Sequence, residues 1–315
     1  MRILMTNHAL KDMGGTESWT QTMSRELLRQ GHDVTIYTMM LGRAAELMPP
    51  GATVVEEVPD GPFDLILVNH NTCLGMVQPL EGTKIFTSHG PFHPIEKFKP
   101  GADAYVAVSE EVWACGVLAG MRPTVIRNPI DMQMFAPMGV CNSASSFKTP
   151  TLALFKALIL LKNREACLMA QEACLRAGFG EAHIAHREIN PIDDMASEMP
   201  KYDAVLGGGR GILEALACGC AAFQLNSLNT NVGLRVISDG WATLENMPDF
   251  RMFNCSSRYA GTVMDVESLS EALKGYQSQD WGRSYIQANN EVFSIVGQYL
   301  ALAEKVARRQ EVMVA

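Results

Sequence analysis

The chain has 315 residues, 47% of them hydrophobic and 19% charged, which excludes a disordered polymer and supplies apolar material for about two domains. Basic residues number 26 against 34 acidic ones, a formal charge of -8, and no dense Lys/Arg run occurs, so a general nucleic-acid-binding role has no electrostatic footprint. No apolar stretch is long enough to span a bilayer, the N-terminus lacks the apolar core of a secretory signal, and the eight cysteines are scattered without CxxC pairs, which argues against a zinc ribbon or a disulfide framework. A cytoplasmic protein with reduced, buried thiols is expected.

Arg2 to Thr6 read as a first buried strand, and the segment from Asn7, ending Gly14-Gly15-Thr16, turns into a helix over about Glu17 to Arg29. Trp19, Met23 and Leu27 recur every four residues and give that helix an apolar face, Gly31 supplies a left-handed cap, and Asp33 to Thr38 form a second strand. Further strands are predicted at Thr53–Glu57, Asp64–Asn69, Lys84–Ser88 and Ala104–Val108, which makes the first part a doubly wound sheet. Ligands of such sheets gather at the carboxyl ends of the strands, where Gly14-Gly15, Asn69-His70-Asn71 and Ser88-His89-Gly90-Pro91 all fall. Taken singly, His70 or His89 is more often a capping or packing histidine than a catalytic one; the clustering is what makes them informative. Ser109 is placed to cap a helix opened by Glu110-Glu111. After a short strand at Thr124–Ile126 and the turn Arg127-Asn128-Pro129-Ile130-Asp131, residues 132–150 lose periodicity, so the domains are read as 1–140 and 141–315.

A second alternation follows: a strand at Thr151–Phe155, a helix at Arg164–Ala177, a strand at Ala182–Ala185, a helix near Asp193–Met199 and a strand at Tyr202–Leu206. Beyond come a glycine-rich turn, a helix from Ile212, a strand at Ala221–Leu225 and a loop-rich part holding Gly240-Trp241 and Phe253-Asn254. A helical tail over Tyr285–Arg309 is available to pack back on the first domain. The turn Gly207-Gly208-Gly209-Arg210-Gly211 lets a ligand approach the backbone, and the helix behind it offers unpaired N–H groups and a partial positive charge, which suit a phosphate. Arg210 would add a forked donor, and the Glu214 carboxylate could take two ribose hydroxyls. A turn whose glycines serve packing alone is the competing reading. The His183-x-x-His186 pair sits on a strand-like segment whose spacing does not place both rings on one face, so no metal is assigned. In Cys218-Gly219-Cys220 the small residues suit close helix-to-sheet packing.

Five pieces in order, GGTESWTQTMSRELLRQGHDVTIYT, TSHGPF, ADAYVAVSEEV, VIRNPIDMQMFAP and GRGILEALACGCAAF, resemble the glycosyltransferases of the GT-B fold, most closely the retaining, nucleotide-sugar-dependent family 4 type. The resemblance covers nearly the whole chain and implies an α/β architecture of two facing Rossmann-like, doubly wound domains with a cleft between them. It implies that the donor lies mainly against the second domain and the acceptor approaches from the first. Gly14 and Gly15 would line the donor phosphates and sugar, His89 would hydrogen-bond a sugar hydroxyl, Lys162 in LLKNREA would bind phosphate, and Glu214 would hold the ribose. Lys162, Arg210 and helix N–H groups would then stabilise the departing diphosphate without a metal or other cofactor, and the sugar would keep its anomeric configuration.

Two positions depart from the family pattern. Leu206 stands eight residues before Glu214, where the family has the first of two paired acids, and GRxxLEAxACG is the form found in a divergent subset. The family's arginine shortly before the lysine has only Lys156 near it, displaced by one position. DGWATLENMPDF also resembles a segment of that subset. The expected activity is transfer of a sugar from a nucleotide-sugar to an acceptor hydroxyl on a glycan, lipid or small molecule. The competing readings are a non-catalytic sugar-nucleotide-binding protein, motivated by Leu206, a sugar-nucleotide epimerase of the same fold, and a phage-type DNA-base glycosyltransferase, which the acidic balance disfavours.

Overall fold

Short aliphatic and β-branched runs alternating with amphipathic segments build parallel strands joined by helical crossovers. The computed structural model describes residues 1–138, 152–231 and 233–314. The chain forms two units, Met1–Pro129 with Asn290–Ala315, and Ile130–Asn289. The boundary expected at 140/141 and Cys141 lie outside the described residues; the chain passes between units at Pro129–Ile130.

The first unit contains β1 (Arg2–Asn7), α1 (Gly15–Arg29), β2 (Asp33–Thr38), α2 (Arg43–Glu46), β3 (Thr53–Val55), β4 (Leu65–Asn69), α3 (Asn71–Val77), β5 (Thr83–Ser88), β6 (Ala104–Ala107), α4 (Glu110–Leu118) and β7 (Thr124–Val125). Its seven strands run parallel in the order β3-β2-β1-β4-β5-β6-β7. Alternate residues of β1 face opposite sides. Ile3 and Met5 join Trp19, Met23 and Leu27 of α1, while Leu4 joins Cys73, Leu74 and Val77 of α3. Because α1 and α3 leave on opposite faces, the connections part at the carboxyl ends of β1 and β4, the topological switch point where ligands of such sheets bind. The expected caps are present: Gly31 has φ +80°, and Ser109 Oγ accepts from Val112 N at 3.3 Å.

The second unit contains β8 (Lys156–Leu160), α5 (Arg164–Ala177), β9 (Glu181–Ile184), α6 (Met195–Glu198), β10 (Ala204–Gly207), α7 (Arg210–Ala217), β11 (Ala221–Thr230), β12 (Gly233–Trp241), α8 (Met247–Met252), β13 (Thr262–Met264), α9 (Val266–Leu273) and α10 (Gly282–Asn290). The order is β13-β12-β11-β10-β8-β9, with β9, β8, β10 and β11 parallel and β12 and β13 antiparallel. Leu158 and Val205 pack with α7, whereas Ile159 and Leu206 pack with α5, so a second switch point lies between β8 and β10.

Three expectations are corrected here. The strand placed at 151–155 lies at 156–160, because Leu152–Leu154 form a 3-10 turn; Thr151 is outside the described residues. The strand placed at 221–225 continues to Thr230 and returns as β12, so Gly240-Trp241 end a strand, and two antiparallel strands extend the doubly wound sheet at that edge. The C-terminal tail is two helices, α10 and α11 (Val292–Val314); Val292, Ile295, Val296, Tyr299 and Ala303 of α11 recur at helical spacing and pack in the α1 layer of the first unit. The thiols are free, and six of the described cysteines are buried. Burial pushes Cys73 up to about 11 and Cys174 up to about 12.

Candidate functional site

At the first switch point, three loops leave the carboxyl ends of β1, β4 and β5 and bring His8, His70 and His89 into one hydrogen-bonded network. Asn69 Nδ2 donates to Thr20 Oγ1 at 3.3 Å, and Thr20 Oγ1 donates to the Thr16 carbonyl at 2.9 Å. The amide oxygen of Asn69 therefore faces His89 Nε2 at 2.9 Å, so that nitrogen carries a proton and donates. The Trp19 indole meets the His89 ring edge-on, with centroids 5.3 Å apart. His8 N donates to His70 Nδ1 at 3.0 Å, which leaves the proton of His70 on Nε2, 3.3 Å from Glu96 Oε1. The other Glu96 oxygen accepts the His89 backbone N–H at 2.6 Å. Burial pushes the Glu96 carboxyl up, but the His70 hydrogen bond, the His89 and His70 imidazoles and the His89 N–H together hold it below its ordinary value. Burial, with His70 and His93 nearby, lowers the pKa of His8.

Gly14 and Gly15 open α1 at the same edge. A Cβ on Gly15 would meet nothing within 4 Å, so the helix end is open there. One on Gly14 would stand 2.6 Å from Glu17 Oε2, so a carboxylate already occupies the positive end of α1. The glycine pair therefore has a carboxylate beside it at this helix end.

At the second switch point the chemistry is mostly backbone. Gly207 ends β10, and a Cβ there would lie 3.0 Å from the Leu160 carbonyl; one on Gly211 would lie 3.2 Å from Leu160 Cδ1. One on Gly208 would sit 3.4 Å from the Cys255 carbonyl and 3.5 Å from that of Leu225. A side chain at Gly207 or Gly211 would crowd Leu160, whereas one at Gly208 would make only ordinary contact. Gly209 differs: φ +61° and ψ -134° is a conformation for glycine, and its Cβ direction is open for 4 Å. Its N–H, however, is taken by the Cys255 carbonyl at 2.5 Å, so it is not among the donors offered to a ligand.

Arg210 and Glu214 are both buried and face each other one turn apart on α7, with Nη2 to Oε1 at 3.2 Å. Burial lowers the Arg210 pKa while Glu214 opposes the change. The guanidinium thus holds the Glu214 carboxylate one turn along α7. Lys162 lies just past β8, exposed and beside the α5 cap, where Asn163 Oδ1 accepts from Ala166 N at 3.0 Å. Its ammonium has no hydrogen bond or ion pair among the described residues.

Lys156 is not part of this edge. It opens β8 at the amino end, about 13 Å along the strand from Leu160, and pairs with Glu181 at 2.7 Å. Leu206 is fully buried against Ile159 and Phe223, so an acid at that position would point into the core. Sequence reasoning also missed His186. Its Nδ1 accepts from Glu188 N at 3.2 Å, so Nε2 carries the proton and donates to the Lys162 carbonyl at 3.1 Å, tying together the loops after β8 and β9. The segment Phe253–Ser257 was another omission: Asn254, Cys255 and Ser257 all have positive φ, and Asn226 Nδ2 donates to the Ser256 carbonyl at 3.0 Å. Neither residue belonged to a recognisable motif, because each acts through main-chain atoms of distant segments.

Among the described residues, no group of three or more His, Cys, Asp or Glu is placed to hold a metal ion, and no helix is long and apolar enough to cross a membrane. No protein-family model matches the chain, and no curated protein does. Solved structures do. HepE (Alr3699) from Anabaena, crystallised with UDP and glucose, superposes with a TM-score of 0.60 at 13% identity over 97% of this chain and 100% of its own. Sucrose-phosphate synthase from Thermosynechococcus elongatus gives 0.57 at 11% over 100% of both. A protein from Listeria monocytogenes described as a putative UDP-N-acetylglucosamine 2-epimerase gives 0.52 at 10% over 98% and 97%. The chain has the fold of the GT-B glycosyltransferases.

Proposed function

We propose that the protein is a retaining glycosyltransferase that moves a sugar from a nucleotide diphosphate donor to an acceptor hydroxyl without a metal ion. The observation that carries this reading is the edge of the second unit. There an open left-handed glycine, Gly209, precedes α7, while Lys162 and the Arg210-oriented Glu214 lie at the two strand ends of one switch point. The carboxylate suits a ribose, and the α7 N–H groups with the Lys162 ammonium suit a diphosphate. UDP and UDP-glucose complexes are known for HepE, which shares the fold.

Charge governs the chemistry. Cleavage of the bond from sugar to diphosphate leaves negative charge on the phosphate oxygens, which Lys162 and the α7 end stabilise more as the bond breaks. His89 takes a sugar hydroxyl, and Glu17 with the open end of α1 receives hydroxyl groups instead of phosphate. The acceptor hydroxyl attacks on the face that the leaving group vacates, so no enzymic nucleophile is required.

The test is a thermal-shift and calorimetry panel of UDP, GDP, ADP and CMP with their sugar conjugates, run in EDTA. One nucleotide-sugar should stabilise the protein, and Glu214→Ala should abolish the effect. No stabilisation by any of them would remove the reading. The fold is shared with a putative epimerase, so product analysis without an acceptor separates the two: an epimerase returns an altered sugar nucleotide, a transferase does not.

A further inference from the structure

A buried carboxylate needs a reason, since an ion removed from water without full compensation is costly. Glu96 is such a group, 6% exposed, on the short 3-10 turn seven residues after His89. One oxygen accepts the His89 backbone N–H and the other accepts the His70 Nε2–H. His70 cannot shift its proton to relieve this demand, because its Nδ1 already accepts from His8 N. The pocket therefore presents two donors to residue 96 and needs two acceptors. A carboxylate meets that demand, whereas a primary amide has one acceptor and in either orientation sets an N–H against an N–H. His70 moreover holds φ +69°, a left-handed conformation uncommon for a residue other than glycine, which places its ring between the two loops.

We propose that Glu96 is the positioning residue for His89. It fixes the main chain at His89 while Asn69 and Trp19 fix the ring, so the imidazole is held in one rotamer and one tautomer, with Nε2–H pointing inward to Asn69 Oδ1. The His70–Glu96 bond links the end of β4 to the loop after β5, and the His8 N–H extends that link to the end of β1. The catalytic consequence rests on the assignment of His89 to the sugar; the geometric one does not.

The experiment compares the full-length wild type with Glu96→Gln, Glu96→Asp and His89→Ala. Long-range proton–nitrogen correlation of the imidazoles at neutral pH, with His89→Ala used for assignment, should show His89 as a single Nε2–H tautomer in the wild type. Glu96→Gln should replace that signal by exchange between tautomers, and Glu96→Asp, which keeps two acceptors, should restore the single form at least in part. Consumption of UDP-glucose should fall roughly 10- to 100-fold in kcat for Glu96→Gln with little change in KM. A wild-type His89 spectrum in Glu96→Gln would overturn the proposal. Should Glu96→Gln fail to fold, a wild-type His89 spectrum in Glu96→Ala with unchanged kcat would argue the same way, because that side chain offers neither donor an acceptor. Should His89→Ala consume donor at the wild-type rate, the assignment of His89 falls while the spectra still decide whether Glu96 positions it.

Discussion

The two units carry the same topological device and furnish it with opposite chemistry. At the first switch point, directional side-chain bonds dominate: Asn69, His70, His89 and Glu96 form one hydrogen-bonded chain. At the second, glycines let main chains touch, and the side chains that remain are one buried ion pair and one exposed lysine. Under the proposed function, the first arrangement would hold a ring still for contact with sugar hydroxyls, whereas the second would leave N–H groups and a cation for an anion whose charge changes during reaction. A shared switch-point topology therefore does not imply a common task.

The largest expected effect breaks the second edge. Glu214→Ala would remove the carboxylate that faces the buried Arg210, and breaking a buried pair in this way costs about 3–5 kcal/mol of stability. Calorimetric or denaturant unfolding should show it, and Glu214→Gln should recover part of the stability while still weakening nucleotide binding. Equal stability of Glu214→Ala and the wild type would mean that Arg210 finds water. At the first edge His89→Ala should lower donor consumption by about 100-fold, equivalent to about 2.7 kcal/mol of transition-state stabilisation, with UDP binding unchanged. If both variants lost nucleotide affinity equally, the division of labour between the units would be wrong.

Much of this was legible in the sequence, and the reasons differ by region. Parallel strands buried on both faces announce themselves as aliphatic runs, and Trp19, Met23 and Leu27 mark α1 by their spacing. The β11–β12 hairpin was illegible because Asn226–Thr230 holds a single apolar residue and pairs with β12 past the end of β10, where propensity gives little signal. The glycine turn was legible as a turn, but not the identity of its partners: nothing local to Gly209 indicates that the Cys255 carbonyl takes its N–H. Arg210 and Glu214 stand at the i,i+4 spacing of a helical ion pair, a pairing that the sequence displayed. Glu96 and His186 lie outside every motif.

The glycines sharpen the comparison next. Gly209→Ala must adopt a strained left-handed conformation, costing about 1–3 kcal/mol, whereas Gly15→Ala at the open end of α1 should leave stability unchanged. A methyl at Gly15 fills room without disturbing the protein, so a raised KM for donor or acceptor with an unchanged melting temperature would place ligand at that helix end. Unchanged KM in Gly15→Ala would leave the first edge to His89 alone.

The smallest effects come from two lysines at opposite ends of β8. Lys162→Ala should reduce kcat about tenfold, roughly 1.4 kcal/mol, with a smaller change in UDP affinity, because its charge is needed most when the diphosphate departs. Lys156→Ala should leave both unchanged, since its ammonium lies at the opposite end of β8 against Glu181. His186→Ala adds an intermediate case: it removes the bond to the Lys162 carbonyl but not the ammonium, and should reproduce part of the Lys162→Ala loss in turnover without altering charge. Steady-state kinetics with the donor identified by the nucleotide panel would rank the three. A loss in Lys156→Ala comparable with Lys162→Ala would show that charge over the whole unit, and not position at the strand end, sets the rate.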